Sequence, residues 1–395
     1  MSKTFAINAG SSSLKYLLYD MPSEHVIAKG LVERIGIEDS VFTLKYGDGE
    51  KVELVQDIPD HGVAIDLLLS QLEEHKVIDS LDEIDGVGHR VVAGGEIFKE
   101  STVIDEQVVQ HIEDLSEFAP LHNPAEAVVI RAMQEKLPNA KMVAVFDTSF
   151  HTSMPPVNYL YSLPYEYYTD FKARKYGAHG TSHKYVANRA AEIVGKDIKD
   201  LKIITCHLGN GASITAVDGG KSVDTSMGFT PLAGLQMGTR TGDIDASLIP
   251  FLMNKLGIKE VSEMIDIFNK KSGTLGVSGV SSDMRDVEEA AEAGNERAQL
   301  ALDMFNSRVQ KYIGQYIAVM NGVDIIVFTA GIGENSKETR EAIIEGISWF
   351  GCELDTEKNN TRDEAIISKD GSKITVINIP TDEEREIARD VERLK

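Results

Sequence analysis

Cysteine is scarce in this sequence, whose 395 residues contain only Cys206 and Cys352. Two cysteines cannot build the disulfide framework of a small secreted domain, and their number fits a reducing compartment. No apolar run approaches the length of a membrane-spanning helix, and the N-terminus lacks the pattern of a signal peptide. These absences predict a soluble, cytoplasmic protein without a membrane partner.

Basic residues are also few. Lys and Arg number 40 against 63 Asp and Glu, which gives a formal net charge of −23. Such a surface repels nucleic acid and anionic lipid, so neither is expected as a partner. If the ligand is a polyanion, local arginine, lysine and metal ions must overcome the overall field. The length and the hydrophobic content of 42% are typical of a well-packed protein of two domains.

A Gly/Ser turn lies between two short apolar runs near the N-terminus. The run 5–7 enters the turn 10–13, and the run 16–19 leaves it. The turn offers backbone N–H groups, hydroxyls and the ammonium of Lys15 to one anion, which suits a phosphate. It is not a Walker A loop, because the spacing is absent and a strand follows. A serine-rich hairpin without a ligand explains this stretch equally well.

The same pattern returns about 200 residues later. A strand over 202–207 enters the turn 208–213, and a second strand, 214–217, follows. Either hairpin alone is weak support for a phosphate site. Together they favour a duplicated, β-rich α/β domain whose two hairpins face each other across a cleft.

An arginine and an aspartate stand at the ends of predicted strands. Arg90 lies in the glycine-interrupted strand 84–92, and Asp147 follows the buried strand 142–146. Side chains at such ends project into the crevice beyond a sheet. Arg90 can also form a surface salt bridge. Asp147 can be a helix cap, a metal ligand or the partner of Arg90.

A histidine between two glycines precedes a predicted helix over 183–194. Ser182 is the expected N-cap of this helix. His179 is poorly placed for packing but well placed to point at an anion. His183 is expected to be solvated in the first turn.

Two later loops carry further candidates. Arg240 lies in the glycine-flanked loop 238–245, where backbone and ligand can approach closely, or else it pairs with Asp243. The strand 323–329 runs into the Gly-x-Gly turn 331–335, a common place for a nucleotide before a helix N-terminus. The full Rossmann fingerprint is absent, so NAD is disfavoured.

The last segment ends in a helix that reaches Leu394. Thr381 and Glu384 fit a capping box, which leaves Glu383 as the better candidate to face the cleft. No nucleophile elbow and no zinc-type Cys/His spacing competes with these residues. The inventory as a whole suits phosphoryl transfer, in which positioning and charge neutralisation dominate.

The sequence also resembles the acetate kinases, a family within the superfamily of acetate and sugar kinases, heat-shock chaperones and actin. The matching stretches follow one another over essentially the whole chain: 8–15, 88–92, 94–96, 121–124, 146–151, 179–185, 207–213, 228–234, 238–245, 331–335, 380–381 and 383–384. The resemblance implies an α/β fold of two duplicated actin-like (ribonuclease H-like) domains with a cleft between them. The implied domains are 1–148 with 382–395, and 149–381, in a homodimer.

The implied reaction is the reversible, Mg²⁺-dependent transfer of the γ-phosphoryl group of ATP to acetate, which gives acetyl phosphate and ADP by in-line displacement. By resemblance, Asn8 and Glu383 hold Mg²⁺, with Mn²⁺ as an alternative, and His179 and Arg240 stabilise the transferring phosphoryl group. Asp147 lies in the active site. The implied acetate-binding residues are Arg90, Val92, Leu121 and Pro231. The implied ATP or ADP contacts are Lys15, His207, Leu208, Gly209, Asn210, Gly211, Asp283, Met284, Arg285, Gly331, Ile332, Gly333, Glu334 and Asn335.

Elementary chemistry limits the role of Asp147. Acetate has a pKa near that of glutamic acid, so it is ionised at pH 7 and needs no general base. Asp147 is therefore expected to orient a metal ion or an arginine. The reaction instead needs relief of the repulsion between an anionic nucleophile and a polyanionic phosphate, which Arg90, Arg240, His179 and Mg²⁺ can provide.

Two positions depart from the family pattern. Alanine stands at 178, where an aromatic residue is common, and at 93, where histidine is common. Ala178 leaves room for a longer acyl chain, and one methylene changes preference by only about 1–3 kcal/mol. Propionate or butyrate kinase is thus the close alternative. A non-enzymatic actin-like or chaperone-like ATP switch and a sugar kinase with Asp147 as its base are the more distant ones.

Overall fold

The computed structural model describes residues 2–120 and 122–395. Met1 and Leu121 lie outside the described residues, and so does the predicted contact of Leu121 with substrate. The chain divides into two compact units. The first comprises the residues up to Phe150 together with Asp382–Lys395, and the second is His151–Thr381.

The secondary structure alternates strands with helices. In chain order the strands are β1 Ser2–Gly10, β2 Ser13–Met21, β3 His25–Glu33, β4 Ser40–Tyr46, β5 Glu50–Gln56, β6 Ile84–Val91, β7 Thr102–Val103, β8 Lys141–Phe146, β9 Lys202–Leu208, β10 Ala212–Asp218, β11 Lys221–Thr225, β12 Ile325–Thr329, β13 Ala365–Ile366 and β14 Thr375–Asn378. The helices are α1 His61–Glu74, α2 Glu106–Asp114, α3 Asn123–Lys136, α4 Pro156–Tyr159, α5 Glu166–Phe171, α6 Gly180–Val194, α7 Leu248–Leu256, α8 Val261–Lys270, α9 Gly273–Ser278, α10 Met284–Glu292, α11 Glu296–Met320, α12 Ala330–Asn335, α13 Lys337–Glu345 and α14 Glu383–Leu394.

Each unit is built on one mixed sheet. Within the described residues of the first unit, eight strands lie in the order β5-β4-β3-β2-β1-β6-β8-β7. In the second unit, where residues 151–381 are all described, the order is β11-β10-β9-β12-β14-β13. The first three strands of each unit are antiparallel neighbours, and the next two central strands run parallel to the first. The five-strand core β3-β2-β1-β6-β8 is thus repeated as β11-β10-β9-β12-β14, which confirms the predicted duplicated α/β fold.

The central strands are apolar on both faces because helices cover the sheets. All residues of β12 are buried, as are those of β9 apart from Lys202, so exposure does not alternate along these strands. Most of their side chains are apolar, and the buried polar ones are Thr205, His207 and Thr329. The edge strand β5 is exposed along most of its length and alternates accordingly. Within the described residues, no helix is both long and apolar enough to cross a membrane.

The glycines of β6 admit the C-terminal helix. A Cβ atom on Gly88 would lie 2.3 Å from Ile387 Cγ2, and one on Gly86 would lie 2.6 Å from Val391 Cγ1. Helix α14 therefore packs directly on the backbone of β6. This contact holds the start of α14, where Glu383 lies, on the first unit.

Candidate active site

Three predicted site residues of the first unit meet near the carboxyl ends of parallel strands. Arg90 on β6 donates through Nε to Asp147 Oδ1 and Oδ2 at 3.1 and 3.2 Å, and through Nη2 to Oδ2 at 2.5 Å. Its Nη1 donates to Asn8 Oδ1 on β1 at 3.2 Å. The Asp147 side chain is only 2% exposed. Asp147 is therefore the partner of Arg90, and Arg90 is not a surface salt-bridge residue.

The guanidinium of Arg90 is held as a cation. Burial by itself lowers the pKa of Arg90, but the carboxylates of Asp147 and Glu383 raise it above its ordinary value. One side of the guanidinium is occupied by Asp147, and Asn8 contacts Nη1. This fixed orientation is what a planar group needs in order to recognise a second carboxylate.

The N-terminus of α14 differs from the predicted capping box. Asp382 is the N-cap, and its Oδ1 accepts a hydrogen bond from Arg385 N at 3.0 Å. Glu384, the predicted acidic member of the capping box, instead forms an ion pair with the Lys15 ammonium. The capping-box prediction was wrong because an aspartate stands one residue closer to the helix than Thr381, and aspartate is the stronger N-cap.

Glu383 is the first residue of α14 and lies in the electrostatic neighbourhood of Arg90. Burial raises the pKa of Glu383 to about 7, with Arg90 lowering it and Asp147 raising it further. Glu383 and Asn8 thus both border on Arg90, one through its charge and one through a hydrogen bond.

The donor set suits an ion that arrives with a nucleotide. Mg²⁺ takes oxygen ligands, commonly one or two carboxylates together with substrate phosphates and water. The amide oxygen of Asn8 and the carboxylate of Glu383 are ligands of this type. Among residues 2–120 and 122–395, no three His, Cys, Asp or Glu side chains are grouped so that they could hold a metal. Asn8 and Glu383 thus offer two oxygen ligands of the kind that Mg²⁺ shared with phosphate would use.

A buried acid that the sequence analysis missed lies behind Val92. Glu126 on α3 is 2% exposed, and its Oε2 accepts a hydrogen bond from Val92 N at 3.1 Å. Its Oε1 has no hydrogen-bond partner among the described residues. Burial raises the pKa of Glu126 to about 8, although nearby Arg90 lowers it. Glu126 therefore fixes the backbone of a predicted acetate-binding residue.

Two segments that are predicted to bind the nucleotide lie side by side in the second unit. Strands β9 and β12 are parallel neighbours, and Thr329 is opposite His207. The turn 209–211 follows β9, and α12 follows β12. A Cβ atom on Gly209 would lie 3.7 Å from Ala330 Cβ. The two segments thus share the carboxyl edge of this sheet, where α/β proteins commonly bind ligands.

The segment 331–335 is helical, not the Gly-x-Gly turn that the sequence indicated. Helix α12 starts directly after β12. The carboxylate of Glu334 accepts hydrogen bonds from Ala330 N at 2.8 Å and Thr381 N at 3.0 Å. The buried guanidinium of Arg340, also missed from sequence, donates to the carbonyl oxygens of Gly333 and Glu334 at 2.8 Å each. These contacts fix the end of the short helix.

His179 and Arg240 approach the same glycine of the β9–β10 hairpin. A Cβ atom on Gly211 would lie 3.6 Å from Arg240 Nη1 and 3.7 Å from His179 Nε2. The His179 ring stacks on the His207 ring with centroids 4.1 Å apart. The second unit therefore brings together two of the three predicted catalytic residues and the predicted nucleotide turn.

Arg240 has no acidic partner among the described residues. Its Nη1 contacts the carbonyl oxygen of Pro231 at 3.4 Å and the sulfur of Met237 at 3.7 Å. Pairing with Asp243, the alternative considered above, is wrong, since Asp243 accepts from Gly234 N at 2.8 Å and from the Tyr312 hydroxyl. Burial lowers the pKa of Arg240. A half-buried guanidinium that lacks an acidic partner in this described part of the chain would gain favourable interactions from an anion.

The start of α6 also differs from the prediction. The helix begins at Gly180, and His179 is its N-cap residue with φ of 55° and ψ of 22°. Ser182 lies inside the first turn, where its hydroxyl contacts His207 Nδ1 at 2.8 Å. His183 is not solvated: it is fully buried and contacts Thr205 Oγ1 and Ser213 Oγ at 2.7 Å each. The prediction failed because α6 turns this face toward β9 and β10.

The segment 283–285 forms the N-terminus of α10. Asp283 Oδ1 accepts from Arg285 N at 2.9 Å, as an N-cap does. The exposed Arg285 side chain pairs with the same carboxylate, which lowers the pKa of Asp283 to about 2. Met284 is buried. Both charged residues therefore have local partners, and their predicted contact with a nucleotide stays a prediction.

Duplicated α/β units are typical of one class of phosphotransferases, and their chemistry suits that class: one unit has a buried arginine–aspartate pair, and the other has a glycine hairpin beside a guanidinium without an acidic partner among the described residues. The particular family follows from comparison of the sequence with known protein families. The model of the acetokinase family matches residues 3–389. The chain belongs to the acetokinase family, and the resemblance read from its motifs is confirmed.

Known relatives are similar to this chain over its full length. The chain is 64% identical to the acetate kinase of Enterococcus faecalis, with 100% of both chains covered. Among solved structures, the Porphyromonas gingivalis acetate kinase matches with a TM-score of 0.96 and 47% identity, again over 100% of both chains. A propionate kinase from Francisella tularensis matches with a TM-score of 0.93 and 40% identity over the same coverage.

Proposed function

We propose that this protein is an acetate kinase, which transfers the γ-phosphoryl group of Mg-ATP reversibly to acetate and yields acetyl phosphate and ADP. The observation that carries the proposal is the half-buried guanidinium of Arg240, which approaches Gly211 beside His179 and lacks an acidic partner among the described residues. A phosphoryl group that is both anionic and in transfer is the ligand that such a cluster suits.

In this proposal Arg90 binds the carboxylate of acetate. Asp147 and Asn8 orient the guanidinium, so that it can form charge-assisted hydrogen bonds with a planar carboxylate. Because acetate is already an anion, Asp147 has no proton to accept. Its two oxygens are engaged by Arg90, which also makes it a poor base for a sugar hydroxyl. Val92 and Pro231 are proposed to border the acetate methyl group.

Arg240 and His179 are proposed to stabilise the phosphoryl group during transfer. Arg240 supplies a fixed positive charge, and His179 supplies a hydrogen bond. The proposed ATP contacts are Lys15, residues 207–211 and 283–285, and α12, where backbone N–H groups and small residues leave room for phosphates. Asn8 and Glu383 would hold Mg²⁺, and bound Mg²⁺ supplies charge neutralisation of the phosphates.

We further propose that the two compact units correspond to an N-terminal domain completed by α14 and a nucleotide-binding domain. Cys206 and Cys352 are both buried and free. Buried thiols of this kind suit the reducing cytoplasm, where the protein is proposed to act.

The function is tested by Mg-ATP turnover with hydroxylamine trapping of the acyl phosphate. We expect acetate to give a higher kcat/KM than propionate, butyrate or glycerol. A higher kcat/KM with propionate would keep the mechanism and change the substrate, since the relative from Francisella tularensis is a propionate kinase. ATP binding without any acyl phosphate would contradict the proposal and favour the ATP switch.

We propose that the protein is a homodimer held by apolar surface of the second unit. Exposed apolar side chains are frequent there: Val157, Leu163, Tyr165, Phe171, Phe251, Leu256 and Val261. Where exposed apolar side chains form a contiguous patch, the patch commonly marks a protein–protein interface.

Charged substitutions on α7 test the dimer. We expect the natural protein to sediment as a dimer at micromolar concentration and the variant Phe251→Asp/Leu256→Asp to sediment as a monomer, because two buried charges would oppose association. Val55→Asp is the matched control, since Val55 is also exposed but lies in the first unit. A dimer that persists in the α7 variant would place the interface elsewhere.

A further inference from the structure

A chain of hydrogen bonds runs from the sheet of the second unit to His179. Thr205 Oγ1 lies 2.7 Å from His183 Nδ1, and His183 Nε2 lies 2.7 Å from Ser213 Oγ. The same Ser213 hydroxyl lies 2.9 Å from His179 Nδ1. Thr205, His183 and Ser213 are all fully buried. The chain therefore connects the predicted phosphoryl-binding histidine to groups that water does not reach.

The hydroxyl of Thr205 sets the direction of this chain. A threonine hydroxyl has one proton to donate, and a neutral imidazole has one donor nitrogen and one acceptor nitrogen. Among the described residues, His183 Nδ1 is the partner of Thr205 Oγ1. If His183 Nδ1 carried the proton, the hydroxyl proton of Thr205 would be buried without an acceptor, which is unfavourable. Thr205 therefore donates to Nδ1, and His183 carries its proton on Nε2.

The remaining hydrogen bonds follow in order. His183 Nε2–H donates to Ser213 Oγ, so the Ser213 hydroxyl proton is free to donate to His179 Nδ1. Because Nδ1 of His179 is then an acceptor, the proton of its neutral ring lies on Nε2. This is the nitrogen that approaches Gly211 near Arg240.

The surroundings favour a neutral His183 ring. Burial, with smaller effects of His151 and His207, lowers the pKa of His183 well below its ordinary value. The neighbours of His179 and His183 include the stacked His207 ring, the guanidinium of Arg240 at Gly211, and His151, whose ring centroid is 5.8 Å from that of His183. Arg240 is a cation, and a nearby cation disfavours a further positive charge on these rings.

We infer that Thr205, His183 and Ser213 are positioning residues that hold His179 as a neutral Nε2–H donor aimed at the Gly211 hairpin. The role of that donor in catalysis rests on the proposed phosphoryl transfer. The tautomer of His179 does not rest on that proposed function, because it is a property of the free protein. In this arrangement His179 donates a hydrogen bond as an uncharged ring, while Arg240 provides the permanent positive charge.

Nitrogen-15 NMR of the histidine rings tests the tautomer directly in the full-length protein. We expect His179 at pH 7.5 to be neutral with its proton on Nε2. Ser213→Ala removes the bridging hydroxyl and should give a mixture of the two tautomers. Thr205→Val should shift the same equilibrium toward Nδ1–H. Finding His179 as the Nδ1–H tautomer or as an imidazolium in the natural protein would overturn the inference.

Thr215→Val is the matched control. Thr215 lies opposite Thr205 in the β9–β10 register, is equally buried, and contacts Thr225 Oγ1 at 2.9 Å instead of a histidine. It should leave the His179 tautomer unchanged. An equal change in Thr215→Val and Thr205→Val would mean that packing, not the hydrogen-bond chain, sets the tautomer.

Kinetics give a second readout. Ser213→Ala should lower kcat on the order of tenfold to a hundredfold, by analogy with the loss of outer partners of metal-ligating histidines, with little change in the KM of ATP or acetate. Ser213→Thr keeps the hydroxyl and should restore most of kcat. If Ser213→Thr were as slow as Ser213→Ala, the hydroxyl would have no positioning role. An absence of acyl phosphate with an intact Nε2–H tautomer would reject the proposed function and leave this inference standing.

Discussion

Replacing Arg240 by alanine is expected to lower kcat on the order of 10³-fold, while the KM for acetate stays within a few fold. An arginine that neutralises charge in a phosphoryl-transfer transition state contributes about 10³–10⁵-fold in rate. Arg240 is half-buried and lacks an acidic partner among the described residues, so its charge is not already compensated. Steady-state kinetics with acetate and Mg-ATP, from both directions of the reaction, measure the effect.

Arg189→Ala is the control for Arg240→Ala. Arg189 belongs to the same unit, but its guanidinium pairs with Glu192 and Glu364 on the exposed surface. Removing a surface ion pair changes stability by about 0–1 kcal/mol and should leave kcat unchanged. A large rise in KM for acetate with an unchanged kcat in Arg240→Ala would make Arg240 a ground-state binding residue. Arg240→Lys should recover only part of kcat, because an ammonium lacks the planar fork.

Local sequence was sufficient to predict the two hairpins. Glycine and serine after a short apolar run restrict the chain to a turn, and the second run returns along the first. The duplication of the domain could be predicted because both hairpins have the same order of residue types. The sheets agree: β1 pairs with β2 and β9 pairs with β10, each in antiparallel register. The sequence did not identify the partner of Arg90. It offered Asp147 as one candidate only, since the two residues are 57 positions apart.

Burial of polar residues was the feature that sequence reasoning missed. His183 was expected to be solvated, because a polar residue in a first helical turn usually is. Its burial depends on hydroxyls of β9 and β10, which no local pattern identifies. Glu126 offered a signal that went unused: it lies four residues before Ile130 and seven before Met133, on the buried face of α3. An acid on an apolar helical face indicates either a buried partner or a function.

Competition between neighbouring residues explains the errors at helix ends. Thr381 and Glu384 satisfy the capping-box spacing, but Asp382 caps the helix instead. Ser182 is a good N-cap by type, yet α6 begins at Gly180, where His179 adopts a left-handed conformation. Residue propensity indicates which residues can end a helix. Tertiary contacts determine which of several positions, only one or two residues apart, is the actual end.

Replacing Arg90 by leucine is expected to raise the KM for acetate on the order of 100-fold and to destabilise the first unit. Loss of one member of a buried, hydrogen-bonded charge pair costs about 2–5 kcal/mol in binding. The same change leaves the Asp147 carboxylate, which is 2% exposed, without its cation. An uncompensated buried charge costs about 3–5 kcal/mol, and the partial exposure of Arg90 places the expected loss at the lower end. Initial rates over a range of acetate concentrations and urea unfolding followed by circular dichroism measure the two effects.

A double-mutant cycle separates binding from stability. Arg90→Leu/Asp147→Leu removes both charges and should recover much of the stability lost in Arg90→Leu, since the buried charge has gone, but it should not recover the KM for acetate. Asp147→Asn keeps the shape and should lower kcat without any rescue at higher pH, because ionised acetate needs no base. If Arg90→Leu lost stability but kept its KM, Arg90 would serve only to hold Asp147. The carboxylate of the substrate would then have to bind to a different cation, and Arg240 would be the first to test.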